Sequence, residues 1–153
     1  ASVEFKDVKV IQNGVTDLLG DMILSKENRM LPEKVYEGDY TLEFKVRKTE
    51  GEQDFKFFLG MSEDGKTGYR YNIGMWSSND RAELIRLEKG KDKGVLSEIP
   101  AKNEKDRWYE VKVVVSSMKN ECYLDNELVL SSVPQAMPLQ FVASGYDEEK
   151  ENW

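Results

Sequence analysis

The chain contains no histidine and a single cysteine, Cys122, among its 153 residues. Without imidazole, Ser-His-Asp and Cys-His catalysis are excluded, and so are imidazole metal sites. One thiol excludes an internal disulfide and any multi-cysteine zinc site. Cys122 reads instead as a small apolar packing residue. Long apolar runs are also missing: none approaches the ~20 residues that cross a bilayer as a helix, so no membrane partner is expected. A basic stripe is absent too. The formal charge of −7 repels phosphate backbones. The lysines Lys89, Lys91 and Lys93 are interleaved with Glu88 and Asp92, as in a solvated loop, so nucleic acid is not an expected partner. The opening Ala1-Ser2-Val3-Glu4 has neither a basic start nor an apolar stretch, the expectation for an excised domain or a mature form.

What is present is a soluble, globular balance, 39% hydrophobic and 33% charged, in a length that suits one domain with one core. The apolar residues recur with period two, the mark of strands with one buried face. Val3 to Val10 reads as a first strand closed by an Asn13-Gly14 turn. Residues 17–35 carry the weakest signal, a strand or two with long loops. Tyr40, Leu42, Phe44 and Val46 alternate cleanly with Thr41, Glu43, Lys45 and Arg47. Glu50-Gly51-Glu52 and Asp64-Gly65-Lys66 are turns around strands at 55–59 and 69–73. Ala82 to Leu87 is a short strand, and Lys89 to Gly94 a polar turn. Trp108 to Val115 is the most β-favoured segment, with Trp108 expected to pack in the core. Asp125-Asn126 is a two-residue hairpin turn, and Leu139 to Ser144 the last strand. Short strands spaced by turns, with no long amphipathic helix, predict an all-β, two-sheet antiparallel sandwich or barrel.

Four blocks carry a family resemblance: Gly38-Asp39-Tyr40-Thr41-Leu42, Tyr71-Asn72-Ile73-Gly74-Met75-Trp76, Arg107-Trp108-Tyr109-Glu110-Val111-Lys112 and Cys122-Tyr123-Leu124-Asp125. Together they resemble the accessory β-sandwich module of bacterial α-L-arabinofuranosidases of glycoside hydrolase family 51. The ends, Glu4 to Val10 and Phe141 to Glu148, resemble the flanking segments of such enzymes. The resemblance is strong from about Tyr40 to Leu130. Arg70 interrupts two tyrosines where the family pattern carries a more aromatic run. The resemblance implies a concanavalin A-like lectin/glucanase jelly roll that binds sugar beside a catalytic domain. It also implies a secreted, periplasmic or cell-surface location in a bacterium.

Three chemistries compete for the outward residues. A catalytic carboxylate pair is the weakest, because Glu37 and Asp39 flank Gly38 as turn residues do, and no catalytic residue is assigned. Sugar binding is the sharper reading, since sugars offer apolar faces to aromatic rings and hydroxyls to bidentate polar groups. Strand parity puts Glu43, Arg47, Phe58, Arg70 and Asn72 on an outward face, with Trp76 and Arg81 at its rim. The bland alternative is cross-strand ion pairing worth a few tenths of a kcal/mol. A structural calcium at Asp7 and Asp147, with Glu148 beside it, requires the first and last strands to pair. The expected partners are arabinan, arabinoxylan or xylan, and the catalytic domain of a parent enzyme. A purely structural interdomain module and a self-contained hydrolase remain the alternatives.

Overall fold

The computed structural model describes residues 2–24, 29–30, 36, 38–50, 55–62, 64–75, 81–101, 104–116, 119–132 and 139–142. Twelve strands are described: β1 (Ser2–Gln12), β2 (Val15–Leu24), β3 (Arg29–Met30), β4 (Tyr40–Glu50), β5 (Phe55–Leu59), β6 (Gly68–Met75), β7 (Arg81–Glu88), β8 (Lys91–Pro100), β9 (Tyr109–Val115), β10 (Asn120–Leu124), β11 (Glu127–Ser132) and β12 (Leu139–Val142). They form two antiparallel six-stranded sheets, ordered β11-β10-β9-β4-β1-β2 (sheet A) and β3-β12-β5-β6-β7-β8 (sheet B). The expected two-sheet antiparallel architecture is the one observed. The chain crosses between the sheets repeatedly, and two meanders, β5 to β8 and β9 to β11, supply most of the local pairing.

The core is the sum of the inward parities. Sheet A contributes Val3, Phe5, Val8 and Val10 from β1, Leu42, Phe44 and Val46 from β4, and Tyr109, Val111, Val113 and Val115 from β9. Sheet B answers with Phe55, Phe57 and Leu59, Tyr69, Tyr71 and Ile73, and Ala82 and Leu84. Alternation in β1 changes phase between Phe5 and Val8 because a bulge there, with Asp7 at φ 53°, inserts residues without turning the apolar side chains outward. Cys122 is fully buried in this core, and burial pushes its thiol up to about 12.

Three expectations change. The segment from Lys89 to Gly94 is not a turn throughout: only Lys89 and Gly90 turn, and β8 begins at Lys91. β8 is an edge strand whose first six residues, Lys91 to Leu96, are exposed on both faces and so follow no period-two pattern; only Ser97 and Ile99 are partly covered. Trp108 is not a core residue. It precedes β9 in opposite parity to buried Tyr109, and 36% of it is exposed on the outer side of sheet A. Finally, the first and last strands do not pair: β1 lies between β2 and β4, and β12 between β3 and β5.

Candidate functional site

Register places the outward residues of sheet B in rows. One row runs Lys56, Asn72, Glu83, Glu98 across β5 to β8, and the next runs Phe58, Arg70, Ile85, Val95. Outer faces of antiparallel sandwiches are ordinarily solvated. Here Lys56, Asn72, Glu83 and Arg70 are 1–4% exposed. Burying charged and amide groups at that level is tolerated only when they are paired.

The pairing is explicit around Arg70. Its Nη1 and Nη2 donate to Asp92 Oδ1 and Oδ2 at 3.1 and 3.2 Å, and its Nε donates to Asn72 Oδ1 at 2.5 Å. The planar guanidinium thus links β6 to the β7–β8 hairpin and holds Asn72 in one orientation, a bidentate fork that lysine cannot reproduce. Arg81 forms the second node: Nη2 lies 2.5 Å from Glu98 Oε2, and Nε 3.7 Å from Glu83 Oε1. The side chains of Arg81 and Glu98 are 41% and 49% exposed, whereas that of Glu83 is 6% exposed. Register sets the two clusters side by side, with Asn72 next to Glu83, and the Arg81–Glu98 pair is their more exposed end.

The expected site residues do not share one face. Phe58, Arg70, Asn72 and Arg81 stand on sheet B. Glu43 and Arg47 stand on β4 in sheet A, with the whole core between them and the others. Parity alone merged two outward faces into one. Arg47 binds Glu4 through Nε and Nη2 at 3.3 and 3.2 Å and stacks its guanidinium 4.8 Å from the Trp108 ring centroid. Glu43 lies between Lys9 and Lys112 in its row. Phe58 is 4% exposed in a small apolar cluster with Met61, Ile85 and Leu87; its ring braces the outer face and is not an accessible stacking platform. Trp76 and Asp147 lie outside the described residues.

Asp7 sits in the β1 bulge, where its N–H donates to Asp21 Oδ1 at 2.8 Å and its carboxylate is 4.0 Å from Lys45. The strand pairing on which the calcium expectation depended is not formed, and among the described residues no group of three acidic or cysteine side chains is placed to hold a metal. Sequence reasoning missed Lys56, Glu83, Asp92 and Glu98. Glu83 was legible as the outward neighbour of Asn72 once the β6–β7 hairpin was registered. Asp92 and Glu98 were not, because β8 itself was unrecognised.

No protein-family model matches the chain, and no curated protein matches it. Solved structures do. The carbohydrate binding module CBM66 from Bacillus subtilis superposes with a TM-score of 0.63 at 18% identity, covering 92% of this chain and 89% of that one. Sheep galectin-11, in a complex with glycerol, superposes at 0.55 with 13% identity, covering 78% and 92%. The κ-carrageenase from Pseudoalteromonas carrageenovora, solved with an oligotetrasaccharide of κ-carrageenan, superposes at 0.51 with 11% identity, covering 91% and 64%. At these identities the likeness establishes a fold: the chain is a jelly-roll sandwich of the lectin/glucanase type.

Proposed function

We propose that the chain is a non-catalytic carbohydrate-binding module, and that its glycan docks on sheet B at the mouth formed by Arg81 and Glu98. The observation that carries this is the buried polar network on an outer sheet face, where a scaffold with no ligand gains nothing from desolvating Arg70, Asn72, Glu83 and Lys56. In a binding face the same network orients donors and acceptors in advance. Vicinal sugar hydroxyls match the exposed donor and acceptor set, a guanidinium edge at Arg81 and carboxylate oxygens at Glu98. Trp76, expected at the rim, supplies the stacking ring. The sandwich likeness to a carbohydrate binding module and a galectin supports the reading.

The finer reading follows the family resemblance. The module belongs to an extracellular or periplasmic bacterial α-L-arabinofuranosidase and takes arabinan, arabinoxylan or xylan chains. Tethering then raises the local substrate concentration at the parent's active site. An open sheet site of this kind corresponds to millimolar to micromolar affinity, about −4 to −8 kcal/mol. Retardation in native gels containing arabinan, arabinoxylan or xylan tests it, with Arg81→Ala and Trp76→Ala alongside. Retardation abolished by both substitutions supports the site; equal mobility in glycan-free and glycan gels removes the reading.

A second reading rests on sheet A. Trp108 is exposed there beside Lys6, 5.9 Å from its ring, and Arg47. Aromatic and arginine residues are the side chains that anchor protein contacts. That face is suited to bracing the module against another domain of the parent. Trp108→Ala then weakens interdomain association while leaving glycan retardation intact.

A further inference from the structure

We propose that the sheet B site selects uncharged glycans and rejects sulfated or uronate-bearing ones, because its guanidinium groups are already held by carboxylates. The inference rests on the carbohydrate-binding reading and narrows it to a substrate class. Two guanidinium groups, Arg70 and Arg81, face three carboxylates, Asp92, Glu83 and Glu98. Among the described residues, Lys56 stands in the same row as Glu83 and sets a third cation against those three carboxylates. Arg70 is shielded as well as paired: its side chain is 4% exposed, and its Nε and both Nη atoms have acceptors.

An anionic group arriving at the mouth meets Arg81 together with Glu98, whose Oε2 already sits 2.5 Å from Nη2. It must either displace that carboxylate or lie beside it as a like charge. Each route leaves one anion without its cation. A neutral hydroxyl meets neither obstacle, since it brings no charge to compete with Glu98 for Arg81 and donates to a carboxylate oxygen while both charges stay paired. The −7 charge of the chain adds a long-range term of the same sign. Lys89, Lys91 and Lys93 are exposed cations at the tip of the β7–β8 hairpin, the opposite end from Arg81 and Glu98, so they do not front the proposed site.

The test follows the Arg81 side-chain Nε–H resonance of the intact chain by NMR while sodium sulfate, and separately a neutral arabinoxylan oligosaccharide, is titrated in. Glycan gels of neutral arabinoxylan and sulfated κ-carrageenan are run in parallel. The expected result is a saturable shift with the neutral oligosaccharide and only a linear drift with sulfate. Neutral-glycan affinity is expected to stay within about twofold when salt rises from about 50 to about 200 mM, as for binding that releases no counterions. Glu98→Gln, which frees the guanidinium, is expected to create saturable sulfate binding. Saturable sulfate binding to the unsubstituted chain, or stronger retardation by κ-carrageenan than by arabinoxylan, overturns the selectivity while leaving carbohydrate binding in place. Retardation by no glycan removes the carbohydrate-binding reading. The sulfate titration of Glu98→Gln against the unsubstituted chain then still decides whether Glu98 occupies Arg81: equal titrations overturn that claim.

Discussion

Phe44 and Phe57 meet edge to face across the sandwich, with ring centroids 5.5 Å apart and planes at 84°. Phe44 belongs to sheet A and Phe57 to sheet B, so this pair is a direct weld between the layers. It is the middle of an aromatic chain: Phe5 packs on Phe44 at 5.4 Å, and Tyr71 stacks on Phe57 at 4.7 Å and 8°. Removing Phe57 opens a cavity that both sheets line. Phe57→Ala is expected to destabilise the fold by about 3–5 kcal/mol, read as a fall in the urea midpoint at unchanged m-value. A loss below about 1 kcal/mol shows that the layers are held elsewhere.

Trp108 provides the contrast. Its ring is covered by Arg47 and approached by Lys6 on the solvent side of sheet A. Trp108→Ala removes cation–π contacts worth about 0.5–1 kcal/mol each at exposed sites and creates no internal cavity. Thermal melts are expected to shift little, and a core-sized loss contradicts the outward placement.

Asn120 is fully buried at the start of β10, and neither its Oδ1 nor its Nδ2 has a hydrogen-bond partner among the described residues. A buried unsatisfied polar group costs about 1–3 kcal/mol. Asn120→Leu, which keeps the branched heavy-atom skeleton and has no polar atoms, is expected to raise the midpoint of chemical unfolding. A lowered midpoint means that Asn120 is satisfied in solution.

Gly68 opens β6 against the loop at Gly60 and Met61. A Cβ added there comes within 2.9 Å of the Gly60 carbonyl oxygen and of Met61 Cα. Both are backbone atoms and cannot rotate away. Gly68→Ala is expected to destabilise by about 1–3 kcal/mol as overpacking and to disturb the adjoining Phe58 and Met61 cluster. Calorimetry checks the first effect, and methyl shifts of Met61 the second.

Alkaline pH acts through three buried groups. Burial raises the Cys122 thiol from 9.0 to about 12. Burial, then the hydrogen bond to Asp17 and its charge, raise the Tyr36 hydroxyl from 10.0 to about 12; burial also raises Tyr40. Each group keeps its proton in the folded state at a pH where the unfolded chain has lost it. Stability from these groups is therefore full below about pH 9 and declines from there toward about pH 12, by up to about 1.4 kcal/mol per group and pH unit. Cys122→Ala is expected to flatten the first part of that decline. In the unsubstituted chain, alkylation of Cys122 is expected to proceed at the rate of unfolding.

Much of the fold was legible because its signals are local. Alternation in β4 and β9 identified their inward faces. Asp125-Asn126 announced its hairpin, and both residues do adopt positive φ, 50° and 68°. β8 was not legible, since its exposed first six residues, Lys91 to Leu96, carry no burial pattern. The candidate site was half legible for the same reason. Arg70 and Asn72 stood out as polar residues between core tyrosines, but their partners Asp92, Glu83 and Glu98 depend on β7 and β8 being registered beside β6.

By itself the sequence determined an all-β chain with an aromatic and aliphatic core, no disulfide, and an acidic surface. These properties are set by composition and by the two-residue repeat of an extended backbone. Only the tertiary structure decided which strands share a sheet. Period two states that neighbouring side chains point to opposite faces of a strand, and it is silent on which of two sheets that strand joins. Pairing of β4 with β1 and β9, and of β5 with β6 and β12, put Glu43 and Arg47 on one side of the molecule and Arg70 and Asn72 on the other. Long-range register, which no local repeat encodes, made the polar network of sheet B.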